Sequence, residues 1–285
     1  MTRLLTWLLI LLAAGSLGLG GKVPPGWKKL GGQEGLLGDD WYTKRTTHTV
    51  SFAREGDLAY VDEVVKGLEE SYRVNRDFLG FAPSGTLEFY FFPMTEPAHT
   101  HPRFQARLAG RTRAAGVALG GTNTCVVNLG SQRHSQPYAP WEVAETTRHE
   151  MNHLFVYQVR SGDRLNSWGW LFEALAEFVE NTVKPPSARL DLASVKTFLK
   201  GYQAVDANWQ ALLRERDADD QEQYRDYEKL LSSIIFFMQA KYGKDAIPRL
   251  MSNVRGRDLE DALQATFGQG AAGLEKEWKA FYGIK

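Results

Sequence analysis

The residues best able to do chemistry stand near the middle of the chain, in "RHEMNHLF", residues 148–155. His149 and His153 are four apart, and Glu150 follows the first directly. On a helix, residues four apart lie about 40° from each other around the axis, so both imidazoles project from one face. Two imidazoles so placed can hold one zinc ion at about 2.0–2.1 Å. Glu150 is rotated by about 100° from His149. Its carboxylate can reach a metal-bound water without being a ligand, which is the mechanical content of H-E-x-x-H. An acidic stripe follows in "WLFEALAEFVE", where Glu173, Glu177 and Glu180 share one face and Leu171, Leu175, Phe178 and Val179 the other. Alone, such a stripe reads as a solvated helix face. Trp168, Trp170 and Phe172, just ahead of Glu173, argue instead for a partly buried carboxylate. A buried carboxylate needs a partner. A catalytic zinc in turn needs a third protein ligand and one open position.

Nineteen residues separate "HEMNH" from Glu173. This arrangement resembles the gluzincin metallopeptidases, in particular the peptidase-MA-like group, whose pattern is HExxH followed by W-x-x-E-G-x-A-E. The resemblance implies His149, His153 and Glu173 as zinc ligands and Glu150 as the general base. It implies Glu177 as the carboxylate that hydrogen-bonds the first ligand histidine. It also implies a Tyr or His from the C-terminal helices as donor to the developing oxyanion. Tyr227 and Tyr224, in "QYRDYEKLL", are the candidates, and Tyr227 matches the helix pattern better. Two departures stand out. Ala174 replaces the family's usual glycine, a change that favours the helix. No G-x-M-E-N motif lies upstream, which points away from the large aminopeptidase branch and toward a broad endopeptidase or a narrow specialist. "FLGFAPSGTLEFYFF", "YEKLLSSIIFFMQAKYGKDAIPRLM" and "LEKEWKAFYG" are similar to the family's flanks, so the likeness covers most of 57–283.

The elements that must position these residues are legible in the periodicity. Val61, Val65, Leu68 and Tyr72 make one apolar stripe, predicting a helix over Asp57–Phe78 that ends at Gly80. "TLEFYFFP" reads as a strand. "GVALGGTNTCVVNLG" reads as one or two strands around a Gly-Gly turn, and one of them could edge a cleft and pair with an extended peptide. "WEVAETTRHEMNHLFVYQVR" is a helix entered after Pro140 and closed by Ser161-Gly162, and "GWLFEALAEFVENTV" is a second, stopped by Pro185-Pro186. Further helices are expected over Leu190–Gln203, Gln221–Tyr242, Asp245–Val254, Asp258–Phe267 and Leu274–Tyr282. The expected class is α+β with a zincin-like fold. A small sheet with helices fills 46–140, helices fill 141–285, and a cleft lies between them.

Composition narrows the function. Lys plus Arg equals Asp plus Glu, at 34 each, and no basic run appears, which argues against a nucleic-acid partner. A chain of 285 residues can bury a core without metal staples, so a metal need not be structural. "MTRLLTWLLILLAAGSLGLGGK" has the charged, apolar and small-residue regions of a secretory signal peptide. Residues 1–21 are read as that or as an uncleaved anchor. Either exports the remainder, and the membrane would be met only there. The Gly-, Lys- and Pro-rich stretch that follows reads as a linker over 22–45. The single cysteine, Cys125, reads as a packed, inert thiol. His99 and His101 read as surface-loop residues; His48 and His134 are assigned no role. The expected protein is an exported zinc metallopeptidase acting on a peptide or protein. The alternative is a non-catalytic zinc-binding or scaffold protein of the same fold. The intact Glu150 argues against that alternative, since merely holding a metal does not require it.

Overall fold

A computed structural model describes residues 22–31, 37–111, 114–131, 136–159, 169–201, 209 and 221–284. Six strands form one mixed sheet: β1 (Lys28–Lys29), β2 (Trp41–Arg45), β3 (Thr49–Arg54), β4 (Leu87–Phe92), β5 (Gly116–Leu119) and β6 (Thr124–Asn128). Their order is β1-β2-β3-β4-β6-β5. β4 runs parallel to both β3 and β6, and the other pairs are antiparallel. β4 is apolar nearly throughout because both of its faces are covered. Phe89 and Phe91 join the helix-side core, while Tyr90 and Phe92 join a second core with Trp41, Phe104 and Leu108. β5 pairs with β6 across a turn in which Gly121 has φ +76°, as the Gly-Gly signal requires. β5 is left at the sheet edge. A two-stranded ladder, β7 (Gly130–Ser131) and β8 (Gln136–Pro137), follows.

A parallel β3–β4 pair needs a crossover, and two helices supply it: α1 (Leu58–Val65) and α2 (Leu68–Leu79). The periodicity predicts one helix here. It divides because Gly67 donates to the carbonyl of Val64, three residues back, and not four. Gly80 ends α2 with φ +78°, a left-handed cap. The helical half follows as α3 (Pro140–Val159), α4 (Gly169–Glu180), α5 (Leu192–Gly201), α6 (Gln221–Tyr242), α7 (Ala246–Val254), α8 (Leu259–Phe267) and α9 (Ala271–Tyr282). These agree with the expected helices to within a few residues at each end, the usual fraying range. Among the described residues no helix is long and apolar enough to cross a membrane.

The N-terminal lead-in departs from the linker reading of 22–45. β1 and β2 lie inside it. Trp41 is fully buried, and Trp27, Leu30 and Leu37 are buried as well. Glycine and lysine content suggested looseness, but the aromatic and aliphatic residues between them carry the packing. Asp62 of α1 pins this segment: it accepts from Trp27 Nε1 at 2.8 Å and from Lys44 Nζ at 2.6 Å. Asp62 is buried as a residue, yet these partners and the nearby Lys66 outweigh the cost of desolvation and hold its carboxyl below the usual range. Asp62→Ala strands a buried indole N–H and removes a charged partner. It should lower stability by about 1–3 kcal/mol and open residues 22–31 to limited proteolysis. An unchanged urea midpoint with an unchanged digestion pattern would show that the lead-in is held by something else.

Candidate metal centre

α3 is buried on nearly every side, so its polar residues must all find partners. On one side Arg148 donates from Nε to Ser71 Oγ at 3.1 Å and from Nη1 to Thr182, while Asn152 donates to Asn75 Oδ1 at 2.8 Å. Asn75 reaches back to the carbonyl of Ser71 at 3.0 Å. Burial pulls the Arg148 guanidinium down to about 10. These contacts fix the rotation of α3 against α2. A different face of α3 then turns toward α4.

On that face His149 and His153 meet Glu173. His153 Nε2 lies 3.0 Å from His149 Nε2. Glu173 places Oε2 3.4 Å from the first ring and Oε1 3.7 Å from the second. One donor atom from each of the three lies within 4.8 Å of the others. A tetrahedral zinc with ligand bonds near 2.0–2.1 Å separates its ligands by about 3.4 Å, so this cluster fits such an ion. The chemistry of the set agrees: two imidazoles and a carboxylate, with a position left open. The side chains of His149 and Glu173 are only 9% and 12% exposed, so the carboxylate is partly buried, as the neighbouring aromatics require. Trp170 and Phe172 are buried beside it, while Trp168 lies outside the described residues.

The carboxylate that orients His149 is Glu180 and not Glu177. Glu180 Oε2 lies 2.7 Å from His149 Nδ1. Glu180 stands seven positions after Glu173, which brings it back to within about 20° of Glu173 around the helix, whereas Glu177 is turned by about 40° the other way. His149 therefore sits between Glu173 on one ring nitrogen and Glu180 on the other. Such a partner fixes the ring's tautomer and raises its basicity. Glu177 is close by, within 4.8 Å of a His149 ring nitrogen and of Glu180, but its Oε2 is buried without a hydrogen bond. Burial, then the charge of Glu180, push the Glu177 carboxyl well above the usual range. Burial opposes a charge on His149, but its bonds to Glu173 and Glu180 outweigh that and raise its ring well above the ordinary value. The surroundings of His149 are thus set for positive charge.

Behind Glu180 lies a residue that sequence reasoning missed. Lys184 Nζ is 2.8 Å from Glu228, 3.0 Å from Glu145 and 3.6 Å from Glu180. It ties α6, α3 and α4 together behind the histidine. Burial works against its charge, but the three carboxylates outweigh it and raise its proton affinity. Burial, followed by the charge of Glu180, pushes Glu145 up to about 8. Only the four-residue step from Glu180 to Lys184 was legible; its other partners come from distant helices.

Glu150 does not join the ligand cluster. Its Oε2 accepts the backbone N–H of Ala118 on β5 at 2.7 Å, so it spans from α3 to the sheet edge. Tyr227 is buried on α6 within the helix-side core, and the side chain of Tyr224 lies outside the described residues. Cys125 is fully buried, and burial pushes its thiol well up. His101 departs from its surface-loop reading: it is buried against Phe92 and Phe104. His48 pairs with Glu69 at 2.7 Å and stacks on Tyr72. His134 lies outside the described residues.

The family model of the Peptidase MA superfamily matches residues 102–283. The chain therefore belongs to this superfamily, and the mixed sheet with a helical second half agrees with its fold. Membership places it at the coarse level among peptidase hydrolases. No curated protein matches the chain.

Two outcomes follow from the carboxylate arrangement. Glu180→Gln should weaken metal binding at this cluster by about 10–100-fold, the usual cost of losing a partner that orients a ligand histidine, while Glu177→Gln should cost less than about threefold. Chelator competition measures both, and a larger loss in the Glu177 variant would reverse the assignment. Glu145 bears on pH. In the folded chain it keeps its proton up to about 8, whereas in the unfolded chain it loses it in the ordinary carboxylate range. Between the two the folded state binds the extra proton, so stability falls as pH rises from the ordinary carboxylate range to about 8 and levels off above it. With metal chelated, the wild type should lose more stability between about pH 5 and 8 than Glu145→Gln. Parallel losses in urea titrations would exclude this role.

Proposed function

We propose that this chain is an exported, zinc-dependent peptidase that cleaves peptide bonds, with endopeptidase action as the narrower reading. The observation that carries it is the convergence of two imidazole Nε2 atoms and the Glu173 carboxylate in one mostly buried cluster, with Glu150 following His149 on the same helix and held by the sheet edge. His149, His153 and Glu173 would hold the ion, with Glu180 orienting His149. When bound, zinc supplies Lewis acidity and lowers the pKa of a water to about 7.

The chain's own residues do the rest. Glu150 takes a proton from the attacking water as the carbon–oxygen bond forms. It passes that proton to the amine as the carbon–nitrogen bond breaks. The bond from Ala118 N–H keeps its carboxylate at the sheet edge rather than on the ligand cluster. β5 is an edge strand, and an extended peptide could add to it by main-chain pairing. Tyr227 is the proposed donor to the developing oxyanion, a position normally filled by a preorganised hydrogen bond. Export rests on the composition of residues 1–21 alone.

Metal content and peptide hydrolysis of the purified chain test this reading together. Near-stoichiometric zinc is expected, with hydrolysis that falls by about 10²–10⁴-fold in Glu150→Gln while the zinc stays bound. Zinc in both proteins with hydrolysis in neither would favour a metal-holding scaffold. Absence of zinc after loading would sink both readings.

A further inference from the structure

We propose that Gly116 is a positioning residue for Glu150: by lacking a side chain at this point of the edge strand, it sets the separation of β5 from α3 and so the placement of the carboxylate. The inference rests on the reading of Glu150 as general base. Gly116 is not needed for its backbone, because its φ lies outside the left-handed region that favours glycine. It is needed for space. A Cβ at 116 would stand 2.6 Å from Thr146 Cγ2, 2.7 Å from Glu150 Cγ and 3.2 Å from Glu150 Oε1. The first two distances are shorter than real Cβ contacts. Thr146 and Glu150 are one turn apart on α3, so both lean on the same point of the strand.

Two residues further along, Ala118 N–H holds Glu150 Oε2 at 2.7 Å. The Glu150 side chain is therefore bracketed. Its stem passes a spot where only hydrogen fits, and its end is fixed by a backbone donor. At Ala118 a methyl is accommodated in the helix-side core; at 116 none is. A methyl at 116 leaves two escapes. The strand can retreat from α3, which stretches the bond from Ala118. Or Glu150 can swing aside, which carries the carboxylate with it. Both displace the general base. His149, by contrast, is fixed through Glu173 and Glu180 of α4.

The test uses the full chain as Gly116→Ala, Thr146→Ala, the double variant and Glu150→Gln, each zinc-loaded. Displacing a reacting group by about 1 Å can cost about 100-fold, so Gly116→Ala should lower kcat by about 10–100-fold. Zinc affinity should stay within about twofold, because the contacts of His149, His153 and Glu173 are untouched, and KM should change less than kcat, with any rise in KM reporting movement of the strand proposed to pair with the peptide. Thr146→Ala removes the methyl at 2.6 Å and should retain wild-type kcat. Added to Gly116→Ala, it should restore stability to urea while kcat stays low, since the crowding of Glu150 persists. Wild-type kcat in Gly116→Ala, or full recovery of kcat in the double variant, would overturn the proposal. So would a parallel loss of zinc affinity, or failure of both Gly116 variants to fold, since Gly116 would then be a packing contact alone. If the wild type shows no hydrolysis that depends on Glu150, the general-base reading itself fails and this inference falls with it. That result is read from the wild type and Glu150→Gln, without the Gly116 variants.

Discussion

The packing of α3 against α4 answers one electrostatic demand: carboxylates of α4 are buried against imidazoles of α3. Bare buried charge is costly, and it persists only where partners neutralise it. Glu173, Glu177 and Glu180 crowd His149, and a single ammonium, Lys184, faces Glu145, Glu180 and Glu228. Acidic side chains outnumber basic ones there, which raises the proton affinity of Glu145 and Glu177, and a divalent cation between the histidines and Glu173 would offset the crowding of carboxylates.

Meeting that demand requires α3 to be fixed in rotation, tilt and depth. Arg148, Asn152, Asn75 and Ser71 lock it to α2 through hydrogen bonds in an otherwise apolar interface. Glu145, through Lys184, locks it to α4 and α6. Leu154 and Phe155 fill the remaining space in the core. Polar bonds therefore set the angle at which α3 lies, and apolar contacts hold it there. The consequence is chemical: the rotation of α3 sets whether His149 lies between Glu173 and Glu180.

The sheet completes the site from the other side. Its central strand β4 is covered on both faces, and β5, at one edge of the sheet, meets α3. That edge holds Glu150 by a backbone N–H, so the proposed proton carrier is positioned by the sheet while the proposed ligands are positioned by helices. Separate supports let the two parts respond independently to mutation. The lead-in strands close the far end of the sheet, with Trp41 packed edge-on against Phe92 at 5.1 Å between ring centroids.

The sequence by itself determined the helices that carry the chemistry, because local periodicity and spacing on one helix are local properties. His149 with His153, and Glu173 on its acidic stripe, could be read that way, and so could the β5–β6 hairpin around Gly120-Gly121. Four things were decided only by tertiary packing. Glu180 took the place next to His149 that the family pattern gives to Glu177, because the angle between two helices selects which turn meets the ring. Lys184 drew Glu145 and Glu228 from two helices distant in sequence, besides its neighbour Glu180. Residues 22–31 and 37–45 joined the fold through Trp27, Lys44 and Asp62, although their composition suggested a linker. Gly116 faced Glu150 across a strand–helix contact that no periodicity encodes. Patterns along one helix are written in the order of residues, whereas the distance between two elements depends on everything packed around them.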